Sequence, residues 1–161
     1  MRELKTAVEV KASPQEVWAV LRDVARWPEW TPSVQSVELL TGPINGVGSK
    51  ARIQQPKLRP AVWTVTAWEA GRRFRWTSAS PSVVVTADHV IATTPSGCTV
   101  MLGLRFTGVL GTVIWLISRR LAFRYLQTEA AGLKARCERA SAVEALLSVK
   151  SAVDTSRLDV G

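Results

Sequence analysis

The chain has 161 residues, 47% of them hydrophobic and 21% charged, the balance of one folded domain and not of a disordered segment. Its longest uncharged apolar run, residues 106–118, falls short of the ~20 residues that span a bilayer. The net charge is +8, yet apart from small groups at Arg72, Arg73 and Arg75 and at Arg119, Arg120 and Arg124 the basic residues are scattered. A solvated basic surface is therefore expected and a nucleic-acid partner is not. The opening Met1-Arg2-Glu3-Leu4-Lys5 has no apolar signal region, and Cys98 and Cys137 lack metal-ligand spacing. They read as buried, reduced thiols of a cytoplasmic protein.

In chain order, Leu4, Thr6, Val8 and Val10 alternate with polar residues and predict a half-buried first strand. Ser13-Pro14-Gln15-Glu16 is a capping box with proline at the first helical position. The helix it starts buries Val17, Leu21 and Val24 and ends near Trp27-Pro28. Residues 25–32 hold two tryptophans and two prolines, a stiff connection suited to be a lid, a cavity wall or a plug at the sheet end. A second strand follows over residues 34–41 and a third over 49–55. The glycines between them fit neither the dinucleotide nor the Walker spacing.

Residues 61–69 and 72–78 alternate around Ala70-Gly71 and predict a hairpin. Its arginines belong on the wet face, so Trp63, Phe74 and Trp76 should face inward, with Val65 and Ala67 on the same side as Trp63. A second hairpin spans residues 83–93 and 98–107. In it Val83, Val85, Ala87, His89 and Ile91 share one face, and Val100, Leu102, Leu104 and Phe106 share another. From Leu110 past Glu138 no proline intervenes, and Leu110, Ile114, Ile117, Leu121 and Tyr125 recur at helical steps. A long helix after so many strands must lay its stripe on the sheet, since neither can bury its apolar face alone. The expected fold is therefore α+β: an antiparallel sheet, two short helices after the first strand, and a long C-terminal helix. One domain over residues 1–147 and a loose tail over 148–161 complete the reading.

With these residues laid out, the chain resembles the polyketide cyclase/dehydrase and lipid-transport group of the START-like (SRPBCC, Bet v 1-like) superfamily. The matching phrases run from Ala12-Ser13-Pro14, Val17-Trp18 and Trp27-Pro28-Glu29-Trp30 through Trp63-Thr64-Val65-Thr66, Gly71-Arg72-Arg73-Phe74-Arg75-Trp76 and Asp88-His89. They continue with Gly97-Cys98-Thr99, Gly108-Val109-Leu110-Gly111 and residues 129–138. The resemblance implies a helix-grip fold: a seven-stranded antiparallel sheet wrapped around the C-terminal helix, enclosing a hydrophobic cavity. It leaves the chemistry open, because the superfamily mixes carriers, cyclases and regulators. Pro81-Ser82-Val83 departs from the pattern where glycine is usual.

Three functions follow as expectations. The first is binding or transport of a hydrophobic small molecule, polyketide-, lipid- or aromatic-like. Its wall would be Trp30, Trp63, Phe74, Trp76, Leu102, Ile117, Leu121 and Tyr125, with His89 as the polar anchor. The second is a cyclase or dehydrase using His89 and Tyr125 as acid/base and carbonyl-polarising groups. Against it, no carboxylate is placed to orient His89, since adjacent Asp88 points to the opposite face of the strand. A structural histidine is the simpler reading. The third is peripheral contact with a membrane through residues 109–124, where an oily run adjoins arginines. No metal or cofactor is called for, and the oligomeric state is not set.

Overall fold

The computed structural model describes residues 2–158, with side chains to Val153. Seven strands form one antiparallel sheet: β1 (Glu3–Val10), β2 (Ser36–Leu39), β3 (Lys50–Gln54), β4 (Ala61–Glu69), β5 (Arg73–Ala79), β6 (Val84–Thr94) and β7 (Gly97–Thr107). The strand order is β1-β7-β6-β5-β4-β3-β2. The helices are α1 (Pro14–Arg22), a 3-10 turn η1 (Val24–Glu29) and α2 (Gly111–Leu158). This is the α+β architecture that the pattern predicted and the helix-grip arrangement that the resemblance implied. Among the described residues no helix is long and apolar enough to cross a membrane.

Local chemistry explains the element starts. Ser13 Oγ accepts from the Glu16 amide at 3.2 Å and Glu16 Oε2 accepts from the Ser13 amide at 2.6 Å, so the capping box of α1 is closed on both sides. On the outer face of the sheet Arg73 and Arg75 reach Asp88 at 3.2 and 2.8 Å. That leaves Phe74 and Trp76 on the inner face, both nearly fully buried.

The alternation in β4 does not run unbroken. A bulge between Val65 and Ala67 shifts the register, so Val65 opposes Trp76 whereas Ala67 opposes Arg75 and Trp68 opposes Phe74. An extra residue in one strand exchanges its two faces. Ala67 therefore turns outward with Arg75, and Trp68 turns inward to meet Trp18 edge-on at 4.9 Å.

Helix α2 grips the sheet through its middle. Leu126, Ala130, Leu133 and Cys137 are buried, at steps of four, three and four residues that keep one stripe inward. Lys134 Nζ donates to the Glu9 carbonyl at 2.7 Å, and the Lys11 amide donates to Glu138 Oε1 at 2.9 Å, tying that stripe to β1. Gly132 allows the closest approach: a Cβ there would lie 2.2 Å from the Trp30 carbonyl oxygen. The loose tail expected from residue 148 is helical to Leu158, and the rest of it lies outside the described residues. No glycine or proline interrupts the helix there, although every side chain from Ala142 to Val153 is exposed.

Candidate functional site

Between the first half of α2 and the concave face of the sheet lies a cavity of about 290 Å³. The sheet supplies Trp63, Trp76, Val85, Ala87, His89, Leu104 and Phe106 to its wall, and η1 supplies Trp27. From α2 come Ile114, Ser118, Leu121, Ala122, Tyr125, Leu126 and Glu129, spaced as one face of a helix. The rings are mutually packed: Trp76 lies 5.3 Å from Trp27 and 5.4 Å from Trp63, centroid to centroid. Leu58 and Ile114 both line the cavity and reach solvent, so the mouth lies between the β3–β4 loop and the start of α2. The Tyr125 hydroxyl donates to the Pro56 carbonyl, fastening that loop to the helix.

The polar centre sits at the buried end. His89, 3% exposed and held in mid-strand on β6, places Nε2 3.0 Å from Oε1 of Glu129 on α2. With Glu129 ionised, its carboxylate accepts this bond and Nε2 donates it. The imidazole lies flat on the Phe74 ring, 4.3 Å between centroids and 11° between planes. Its Nδ1 is buried with no hydrogen-bond partner among the described residues. An aromatic wall on one side and a carboxylate on the other fix the ring in orientation. The Glu129 side chain is the more accessible of the two, 12% against 4%, and both residues line the cavity.

Several expected positions move. Trp63, Trp76, His89, Leu121 and Tyr125 do line the cavity. Trp30 does not: its indole packs on Trp27 at 5.6 Å, and Trp27 takes its place in the wall. Phe74 is fully buried behind His89, and Leu102 is core, paired across the ladder with His89, while Leu104 and Phe106 reach the cavity. Ile117 is 77% exposed. At 100° per residue it falls about 100° from the centre of the cavity-lining face, which Ser118 occupies instead. The expectation that His89 has no orienting carboxylate is corrected by Glu129. The available signal was an acid four residues beyond Tyr125, on the apolar face.

The sequence model of the family described as polyketide cyclase / dehydrase and lipid transport matches residues 1–138. The chain belongs to that family. No curated protein matches it by sequence. Among solved structures, the Zhui aromatase/cyclase of a Streptomyces species superposes with a TM-score of 0.70 at 17% identity, over 85% of this chain and 93% of that one. A START superfamily protein of Mycobacterium smegmatis superposes with a TM-score of 0.67 at 16% identity, over 85% of this chain and 97% of that one. A Thermus thermophilus protein gives 0.69 at 18% identity, over 86% of this chain and 99% of that one. At such identities the likeness is one of fold, and within this polyketide cyclase / dehydrase and lipid transport fold the chemistry rests on the residues just described.

Proposed function

We propose that this member of the family binds a hydrophobic small molecule in the cavity, its flat or acyl body against Trp27, Trp63 and Trp76 and a polar group toward Glu129 and His89. The observation that carries this reading is the cavity itself: 290 Å³ of space, walled by indoles and aliphatic side chains where packing could have filled it. Two free, buried cysteines support a cytoplasmic location for such a carrier. The test is a titration of apolar fluorescent probes against intrinsic tryptophan emission. Binding that weakens in Trp76→Ala supports the reading, and emission indifferent to every probe removes it.

A second reading, an enzyme of cyclase or dehydrase type, is favoured by the His89–Glu129 pair. A carboxylate at the wall of an apolar cavity, held by a fixed imidazole, is suited to accept a proton from carbon next to a ligand carbonyl. Glu129 would be the group that touches the substrate and His89 the one that positions it. Tyr125 is less suited to polarise a carbonyl while its hydroxyl donates to Pro56. Deuterium exchange at the acidic carbon of a bound β-dicarbonyl compound tests this. Exchange lost in Glu129→Gln with binding kept supports catalysis, whereas exchange unchanged in that variant leaves a carrier.

A further inference from the structure

The first turns of α2 present a face that the cavity does not use. Val113, Leu116 and Ile117 are half or more exposed, and exposed Arg120 and Arg124 continue the same stripe at helical spacing. Val109, 91% exposed, and Leu110 extend it ahead of the helix. Aliphatic side chains gathered in solvent mark a contact surface more often than chance exposure does.

Charge narrows the partner. No Asp or Glu occurs between Asp88 and Glu129, nor between Glu38 and Glu69. The second of these stretches carries the exposed Lys57, Leu58 and Arg59 beside the cavity mouth. The β3–β4 loop and the first turns of α2, which border the mouth, are thus oily and cationic and carry no carboxylate. A second copy of the chain would set arginine against arginine. An acidic protein would pair the guanidinium groups but leave the aliphatic side chains without a matching environment. An anionic lipid surface supplies phosphates and acyl chains together.

We infer that this face docks on anionic membrane surfaces, with Val113, Leu116 and Ile117 entering the headgroup boundary and Arg120 and Arg124 meeting lipid phosphates. The cavity mouth then opens beside the bilayer. Arg119 is engaged elsewhere, its guanidinium 5.2 Å over the Trp115 ring. The inference goes beyond cavity binding and stands or falls without it.

The experiment is flotation with phosphatidylcholine vesicles, with and without phosphatidylglycerol. Wild type floats with the anionic vesicles only, and added salt releases it. Arg120→Gln with Arg124→Gln lowers partitioning roughly thirtyfold, from the usual contribution of two basic residues near a charged surface. Leu116→Glu with Ile117→Glu abolishes it. None of these four residues lines the cavity, so an unchanged apolar-probe response in the same variants shows that the fold and pocket persist. Wild type that stays unfloated overturns the inference, as do variants that float like wild type. Retention on a polyglutamate matrix without flotation overturns it in favour of an acidic protein partner.

Discussion

His89 Nε2 lies 3.0 Å from Glu129 Oε1, a contact between mid-strand β6 and the middle of α2 that joins the two elements enclosing the cavity. Both side chains are almost wholly removed from water. Taking away either partner leaves the other buried and unpaired, a cost of about 1–3 kcal/mol. His89→Ala and Glu129→Ala should therefore each lower stability in urea unfolding. The double variant should lose less than the sum, with a coupling on the order of 1 kcal/mol. Strict additivity would mean the two groups are not bonded in solution.

Cavity space should be fillable without breaking the fold. Ala122 lines the cavity from α2, so Ala122→Phe places a ring where no protein side chain packs. Overpacking costs arise where a core is already full, and here the change in stability should stay within about 1 kcal/mol. Apolar-probe binding should fall sharply. Undiminished binding would place the ligand somewhere else.

The packing of α2 against η1 depends on a missing side chain. A methyl group at Gly132 would meet the Trp30 carbonyl oxygen at 2.2 Å, and the obstructing atom is backbone. Gly132→Ala should destabilise the protein by about 2 kcal/mol or more, outweighing the ~1 kcal/mol by which alanine favours a helix. A thermal melt at or above the wild-type midpoint would show that the helix does not approach this closely.

Acid stability should carry the mark of Asp88. Burial alone would raise its carboxyl, but hydrogen bonds from Arg75 and Arg73 outweigh that and hold it below its ordinary 3.8. A carboxyl depressed in the folded state contributes stability that is complete above its unfolded value and lost as pH falls through the folded one. Asp88→Asn should thus be less stable than wild type at neutral pH, with the gap closing below pH 3.8. A gap that stayed constant into acid would argue against the ion pairs.

The thiols should be silent in the native state. Burial, with smaller contributions from neighbouring acidic groups, pushes the Cys137 thiol up to about 12, so almost no thiolate exists at neutral pH. Aromatic disulfide reagents should label Cys98 and Cys137 only after denaturant is added. Rapid native labelling would reveal local opening of α2 from β1.

Much of this protein follows from local pattern. Alternation placed Arg73 and Arg75 in water and Phe74 and Trp76 inside, proline and glycine marked the turns, and the uninterrupted run after Gly111 required a long helix. These are short-range effects, set by side-chain period and backbone sterics. What tertiary structure alone decided is finer. The bulge after Val65 exchanged Ala67 for Trp68, and packing chose Ser118 over Ile117 and Trp27 over Trp30. Only the closing of α2 over the sheet brought Glu129 to His89, 40 residues away in the chain. A periodic pattern states which face is apolar. Which side chains touch across that face, and whether space is left between them, depends on three-dimensional fit that neither strand nor helix encodes by itself.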